Sequence, residues 1–568
     1  MTAGGGPTPE EERPSTGRRI GPYEQSLRES ARRAEQTHRA RVRKARRRRA
    51  IIAAVTVVAV AVAGFVGWRL LAPDPPPTGV PSTAAAPLSC AEPTPISIAV
   101  APAVAPIVAS LAETLSTHED GPCAAFTIQN AEAFTAARTI GTSAEPAAWV
   151  TDSAEWIKQA QSLAARELTV EAPFASSGLV VALPAAAADE LGNQATWSTV
   201  MTGATPIRVP DPNRSALGSA SLGAAAPGLP PERVSELARA NASTPMPDLQ
   251  AVAQSNTPLG VVVPAAQLVA FNESDSHQDL AALAPADGAA FLQYSLVTVN
   301  EKPEVAKLVA DFASYLTSEE AKEALSEAGF TTPDGPEPRV PTPLHGMITQ
   351  APAPEAVVVA DVRAAWTSVA PKDQVLLALD VSGSMLRRTP EGTRLDILQA
   401  AVLRTIAGIQ PANTLALWAY SLHIGTKGDD FRVLRGVGKL SDNKHFLAVR
   451  ESIADLDRTV GGGRGLYDTI AAAYEQASST FAKGFDNSVV VVTAGPNEDD
   501  YGASLEILTD RINQLKDPAR PVRVDIIGFG TEPDAQAMTS IAELTGGRYL
   551  PAPEPDDLAT ALSTALGG

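Results

Sequence analysis

The chain has 568 residues, more than the roughly 250 to 300 at which a single hydrophobic core stops growing, so we expect two or more folded domains. Hydrophobic residues make up 44% and charged residues 19%, a globular balance that excludes a wholly disordered chain and a polytopic membrane protein. The net charge of -18 is uneven, because residues 1–49 carry 14 Lys and Arg against 6 Asp and Glu, whereas the rest carry 32 against 58.

Residues 51–68 form a stretch of 18 uncharged residues, about 27 Å long as a helix, which predicts a transmembrane helix over 50–71. Basic residues crowd its N-terminal side, whereas Arg69 alone follows it closely. The positive-inside rule then predicts a single-pass protein of the cell membrane, with residues 1–49 as a disordered cytoplasmic tail and the bulk of the chain extracytoplasmic. We expect the basic tail to rest on anionic lipid and not on nucleic acid. A cleaved signal peptide is the alternative, but no small-residue cleavage motif follows closely.

A Pro-rich stretch over 72–89 predicts a stiff stalk. Cys90 and Cys123 are the two cysteines of the chain, and both lie on the outer side of the predicted membrane helix. A disulfide is the expected use of two cysteines in an oxidising compartment. A metal-binding or nucleophilic role for so sparse a pair is the less favoured alternative.

Over 90–345, short apolar runs alternate with helical patterns, which is typical of an α/β domain. The runs predicted as strands are 96–100, 126–129, 178–183, 260–263 and 295–299. A second Pro-rich stretch begins at 331 and extends to about 354. Residues 346–372 are expected to form a linker and the leading helix of the next domain.

Several short motifs of this first domain resemble bacterial extracellular solute-binding proteins. They are ISIAVAPAV at 96–104, WVTDS at 149–153, DPNRS at 211–215 and a closing helix pair at 312–330. The resemblance implies a periplasmic-binding-protein-like domain with two α/β lobes and a ligand cleft between them.

Candidate ligand-binding residues lie at the ends of predicted elements in this domain. They are Thr151, Asp152, Ser153, Ser176, Ser177 and Ser215. Receptors of this type that bind oxyanions use hydroxyls and helix N-terminal amides, but the first strand exit here, at 101–103, has no hydroxyl, which argues against an oxyanion. For each candidate, a helix-cap or turn role is the alternative.

Residues 373–568 predict a second α/β domain. An apolar run over 374–379 has the pattern of a buried central parallel strand and leads directly into the motif Asp380-Val381-Ser382-Gly383-Ser384-Met385. Further strands are predicted at 414–420, 488–493 and 522–529, with helices at 393–409, 466–479, 505–515, 534–544 and from 556. This alternation predicts a doubly wound parallel sheet.

A strand followed by Asp-x-Ser-Gly-Ser is similar to the von Willebrand factor type A (VWFA) domain, whose metal-ion-dependent adhesion site begins with these residues. The resemblance implies that Asp380, Ser382 and Ser384 supply oxygen ligands for Mg²⁺, which prefers an all-oxygen octahedral site. The family adds a Thr from a second loop and an Asp from a third, but this sequence has Arg464 and Ala494 there. We therefore expect weak or absent Mg²⁺ binding, with Arg464 reaching the site and pairing with Asp380.

Two alternatives remain for this motif. Asp380, Ser382 and Ser384 can serve only as capping and turn residues. The residues at 497–500, which include three carboxylates, can supply a displaced metal ligand.

The sequence lacks common catalytic motifs, such as G-x-S-x-G, H-E-x-x-H or a phosphate-binding loop. We therefore expect a binding protein and not an enzyme. The leading prediction is a membrane-anchored extracytoplasmic protein that mediates protein–protein adhesion or envelope assembly through its VWFA domain, with an unidentified extracytoplasmic protein as partner. The alternative is a solute-binding receptor, or a transport or sensing accessory protein, whose first outer domain captures a small molecule.

Overall fold

The computed structural model describes residues 82–83, 90, 92–118, 121–274 and 278–567. The predicted cytoplasmic tail, the predicted transmembrane helix and most of the predicted stalk lie outside these residues. Within the described part of the chain, no helix combines the length and the apolar character needed to cross a bilayer.

Strands and helices alternate along the described residues. The strands are β1 (Ser82–Thr83), β2 (Thr94–Val100), β3 (Ala124–Asn130), β4 (Ala148–Thr151), β5 (Thr169–Val170), β6 (Ala175–Leu183), β7 (Ile207–Arg208), β8 (Gly260–Pro264), β9 (Ala281–Leu283), β10 (Phe291–Thr298), β11 (Leu344–His345), β12 (Asp373–Asp380), β13 (Arg388–Thr389), β14 (Gly392–Thr393), β15 (Thr414–Tyr420), β16 (Phe431–Lys439), β17 (Asp486–Thr493), β18 (Val522–Phe529) and β19 (Tyr549–Ala552). The helices are α1 (Ala105–Thr117), α2 (Ala133–Thr139), α3 (Ala154–Ala164), α4 (Ala185–Leu191), α5 (Trp197–Thr202), α6 (Ala216–Ala225), α7 (Pro231–Ser243), α8 (Leu249–Ala253), α9 (Ala265–Asn272), α10 (Pro303–Leu316), α11 (Glu319–Glu327), α12 (Ala356–Val369), α13 (Arg394–Gly408), α14 (Asn443–Ala454), α15 (Leu466–Ser479), α16 (Leu505–Leu515), α17 (Ala535–Thr545) and α18 (Pro555–Leu566).

A mixed sheet forms the frame of the first domain and divides it into two lobes. Its main path follows the order β1-β3-β2-β4-β10-β6-β8-β7. β10 belongs to both lobes, because residues 295–298 pair with β4 and residues 291–294 pair with β6. We call the β2–β4 side lobe 1 and the β6–β8 side lobe 2. Helices cover the strands, so β2 and β6 are largely buried, as their apolar sequences require.

Helix α12, which the sequence assigns to the linker, packs against α6 and α7 of lobe 2. Val362 and Trp366 are its buried residues. Arg363 of the same helix bridges the two lobes, since its Nη2 donates to Glu155 Oε2 at 2.8 Å in lobe 1 and its Nε donates to Pro212 O at 2.9 Å in lobe 2. The helix is therefore part of the packing of the first domain.

Cys90 and Cys123 form a disulfide with a sequence separation of 33. The bond ties the chain ahead of β2 to the chain ahead of β3, and these two strands pair in parallel. In the chain-entropy description, closing a loop of this length stabilises the folded state by about 3 to 4 kcal/mol.

The second domain is built on a sheet with the order β16-β15-β12-β17-β18-β19. Neighbouring strands are parallel except for the edge pair of β15 and β16. Helices α13, α14 and α18 pack on one face and α15, α16 and α17 on the other, so the central strands are buried on both faces. The predicted doubly wound α/β arrangement is confirmed, whereas β16, α14 and β19 are additions that the sequence analysis did not predict.

The two domains contact each other through α2 of lobe 1 and α13. Arg138 of α2 lies between two rings, with its Cζ 4.8 Å from the ring centroid of Phe134 and 4.0 Å from that of Phe446. Burial, and then the charges of neighbouring arginines, lower the pKa of Arg138 to about 9. Gln410 of the second domain also donates to Asp211 of lobe 2 at 3.1 Å, so both lobes contact the second domain.

Candidate functional site

The carboxyl ends of β12 and β17 lie where the strand order of the second sheet reverses. Ligands of doubly wound sheets bind at this switch point, because the loops on either side diverge there. Asp380 ends β12 and is fully buried. Its Oδ1 accepts a hydrogen bond from Ser382 N at 2.8 Å, and its Oδ2 accepts one from Ala494 N at 2.9 Å. Burial raises the pKa of Asp380, and these hydrogen bonds oppose the rise. Asp380 therefore joins the loops that follow two central strands.

Two hydroxyl groups lie on the loop that follows Asp380. Ser382 Oγ and Ser384 Oγ are 3.0 Å apart. Arg464, in the loop before α15, directs its guanidinium at both, because Nη1 donates to Ser384 Oγ at 2.6 Å and to Ser382 Oγ at 3.3 Å. The guanidinium thus lies against two of the three predicted metal ligands.

Arg464 is only 5% exposed, and its other donors bind the loop after β17. Nε donates to Pro496 O at 2.9 Å, and Nη2 forms an ion pair with Glu498. Gly495 makes room for this side chain, since a Cβ there would lie 2.6 Å from the guanidinium carbon. Arg464 therefore pairs with Glu498 and not, as predicted, with Asp380. The physical reason is that backbone amides already bind both Asp380 oxygens, while the third loop brings Glu498 to the guanidinium.

These contacts decide whether the residues fit Mg²⁺. Mg²⁺ needs near-octahedral oxygen ligands at about 2.0 to 2.1 Å. Ser382 and Ser384 instead accept hydrogen bonds from a guanidinium, and Ala494 supplies no carboxylate. The residues do not fit the ion, because the fixed positive charge of Arg464 lies against the hydroxyls that would bind it.

A group of three carboxylates, of which the sequence indicated only Asp499 as a possible metal ligand, lies at the loops of the second domain and the start of α15. Asp430, Asp468 and Asp499 each bring one carboxylate oxygen within 4.8 Å of the others. Burial raises the pKa of Asp430, and the negative charges of Asp499 and Asp468 add to the rise. Asp430 Oδ1 accepts from His423 N and Asp468 Oδ2 accepts from Ala503 N, both at 2.8 Å. These two hydrogen bonds connect the carboxylates to neighbouring loops, and the three carboxylates give this part of the surface a negative potential. Asp430 directly precedes β16, Asp468 lies in the first turn of α15 and Asp499 lies in the loop after β17, so the three positions share no sequence signal.

Five of the six predicted ligand-binding residues of the first domain form side-chain hydrogen bonds with main-chain atoms. Ser153 and Ser215 are the N-caps of α3 and α6, and Ser177 accepts a hydrogen bond from a main-chain N–H of α9. Thr151 bonds the main chain of Ser153 in a turn, and Ser176 donates to the main chain just after α11. The capping and turn alternative therefore describes these five residues.

Asp152 is the exception. Its Oδ1 is buried and has no hydrogen-bond partner among the described residues. It lines a cavity of about 320 Å³ between elements of both lobes, together with Ser153 and Glu155. Burial, and then the negative charge of Glu132, raise the pKa of Asp152 to about 7. This carboxyl group is therefore about half protonated at neutral pH.

Asp152→Asn should stabilise the protein at alkaline pH. Because folding raises the pKa from 3.8 to about 7, the folded state holds a proton between these values that the unfolded state has lost. The cost of the buried charge is absent below about pH 4, grows as the pH rises and is complete above about pH 7. We expect the substitution to raise the unfolding free energy by about 4 kcal/mol near pH 8 and to leave it nearly unchanged near pH 4, as measured by denaturant titration.

Asp361→Asn, at an exposed position of α12, is the control and should have little effect at either pH. A gain from Asp152→Asn of equal size at both pH values would show that the charge of Asp152 is not its cause.

Residues 96–331 match the family model of bacterial extracellular solute-binding proteins. Two proteins of Mycobacterium tuberculosis are each 30% identical to this chain over 308 residues: the uncharacterized protein MT1884 of strain CDC 1551 / Oshkosh and the uncharacterized protein Rv1836c of strain ATCC 25618 / H37Rv. The alignment covers 52% of this chain, and the chain spans 43% of the length of these curated relatives.

Among solved structures, the von Willebrand factor type A protein from Catenulispora acidiphila is similar over 34% of this chain and 42% of its own, with 19% identity and a TM-score of 0.28. The fold of the second domain follows independently from its strand order. The family match over 96–331 supports an extracytoplasmic binding role in general, for a chain that joins a solute-binding-like domain to a doubly wound α/β domain.

Proposed function

We propose that this chain is a single-pass membrane protein that acts outside the cell by binding and not by catalysis. Its second domain is a VWFA-type module for adhesion or envelope assembly. This module works without a metal ion. The family match over 96–331 supports the extracytoplasmic setting. The apolar residues 51–68 supply the anchor, and the basic residues 1–49 contact anionic lipid on the cytoplasmic side.

The contacts of Arg464 carry this proposal. In a metal-dependent site, a divalent cation is bound by the oxygens of the domain and accepts a further carboxylate from a partner. In this chain a guanidinium lies against Ser382 and Ser384 and is held by Glu498. A partner carboxylate therefore finds no ion to bind, and recognition must use other groups of this surface.

The loop after β17 offers such groups. Glu498 and Asp500 are exposed, and Tyr501 is fully exposed at 101%. Arg464 compensates the charge of Glu498, so Asp500 supplies the negative charge that favours a basic partner surface. Tyrosine is among the residues that most often dominate the energy of protein–protein interfaces. The partner surface we propose is basic and has an apolar pocket for Tyr501.

Capture of partners from the membrane fraction of the source organism tests this function. The full chain should retain the same protein in excess Mg²⁺ and in EDTA. Tyr501→Ala should reduce binding at least tenfold, or by about 1.4 kcal/mol, because it removes the central apolar contact.

Val437→Ala is the matched control, since Val437 is exposed on the edge strand β16 and outside the loop after β17. This variant should retain the partner fully. Release of the partner by EDTA would contradict metal independence, and unchanged binding by Tyr501→Ala would contradict the proposed surface.

A further inference from the structure

A cavity of about 350 Å³ lies where both lobes, α12 and the second domain meet. Lobe 1 contributes Glu132, lobe 2 contributes Arg214, α12 contributes Trp366 and the second domain contributes Gln410. Its volume is near the lower end of the range for small-molecule pockets. The cavity shares no residue with the Arg464 surface, so a ligand here and a protein partner there would occupy separate sites.

Four charged side chains line the cavity, and two of them are already hydrogen-bonded within the chain. Asp211 Oδ2 accepts from Gln410 Nε2 at 3.1 Å. Asp373 Oδ2 accepts from Asn413 Nδ2 at 2.8 Å. These two carboxylates are therefore structural.

Glu132 and Arg214 are the other two. Among residues 92–118, 121–274 and 278–567, neither side chain has a hydrogen-bond or ion-pair partner. They come from opposite lobes, with Glu132 at the exposed rim of the cavity, and Arg214 is influenced by the negative charge of Asp211 and then by that of Glu132. An acid and a base that line the same cavity from opposite lobes, with no ion pair between them, can each bind one charge of a molecule that carries both.

The remaining wall supports such a ligand. Phe134, Met246 and Trp366 give the cavity apolar surface. Arg214 lies just before α6, whose N-terminal end has a positive potential that favours a carboxylate. We propose that the cavity binds a small zwitterion of the α-amino acid class. Its ammonium group lies at Glu132, its carboxylate lies at Arg214 and its apolar side chain contacts the apolar wall just described. The small-molecule ligand expected from the sequence is then an α-amino acid.

Isothermal titration of the full chain with L-leucine tests this site against two analogues that each lack one charge, isoamylamine and isocaproate. Leucine should bind at least tenfold more tightly than either analogue, because only leucine satisfies both unpaired side chains. Glu132→Gln and Arg214→Gln should each weaken leucine binding at least tenfold. Arg239→Gln, at an exposed position of α7, is the control and should leave binding unchanged.

Both binding-site variants should fold, since neither side chain is bonded to the rest of the described chain, and thermal unfolding verifies this. Equal binding of leucine and of one analogue would overturn the assignment of a zwitterion. If leucine and each of the other proteinogenic amino acids, titrated one at a time, fail to bind, the site itself is overturned. Neither result affects the test of the protein partner, which depends on Tyr501.

Discussion

The double substitution Arg464→Thr with Ala494→Asp should create a Mg²⁺ site with a micromolar Kd, a binding free energy of about -8 kcal/mol, whereas we expect the unsubstituted chain to bind this ion weakly or not at all. The first change removes the positive charge that lies against Ser382 and Ser384. Together the two changes add a hydroxyl and a carboxylate to the oxygens of the first loop, which approaches the all-oxygen set that Mg²⁺ prefers. Isothermal titration with Mg²⁺ and Mn²⁺ measures the gain.

Arg464→Thr alone is the control for this experiment. It should not bind Mg²⁺ tightly, because the carboxylate is still missing at Ala494. It should also lower the unfolding free energy by about 1 to 2 kcal/mol, since Ser384 loses a charged hydrogen-bond donor while the 43% exposed Glu498 side chain can bind water instead. Micromolar Mg²⁺ binding by the unsubstituted chain would show that Arg464 does not block the site.

The position of Asp380 was predictable because a central parallel strand is a continuous apolar run, and the first polar residue after such a run lies at the carboxyl edge of the sheet. The placement of Arg464 near Ser384 followed from the resemblance of its loop. Its pairing with Glu498 did not, because the choice between two carboxylates depends on which of them backbone amides already bind. In Asp380 both oxygens are bound in this way, and sequence patterns contain no such information.

Two other features depend on how distant segments meet. The cluster of Asp430, Asp468 and Asp499 joins two loops and the first turn of α15, and no spacing along the chain indicates it. The apolar face of α12 predicts only that the helix is buried on one side, and it fits a leading helix of the second domain as well as a part of the first. In the structure this face packs on lobe 2, and Arg363 of the same helix also donates a hydrogen bond to Glu155 of lobe 1. The linker is therefore a structural element of the solute-binding-like domain.

Trp366→Ala should lower the stability of the first domain by about 3 to 5 kcal/mol, which is the usual cost of truncating a buried tryptophan. Trp366 is 2% exposed and belongs to the hydrophobic cluster of the first domain, whereas the two clusters of the second domain do not include it. Hydrogen exchange resolved by peptide should therefore show faster exchange over 92–369 and little change over 373–567.

Two further variants of α12 separate the contributions of this helix. Val357→Ala removes apolar atoms at a position that is 60% exposed and should change the stability by less than about 0.5 kcal/mol. Arg363→Met removes the hydrogen bonds to Glu155 and Pro212 but keeps an apolar stem, so we expect an intermediate loss of about 1 to 2 kcal/mol. If Trp366→Ala accelerates exchange equally in both domains, α12 stabilises the whole of residues 92–567 and not the first domain alone. If exchange rises only in the first domain, the second domain folds independently of the helix that connects it, and its Arg464 surface stays intact when the lobes loosen.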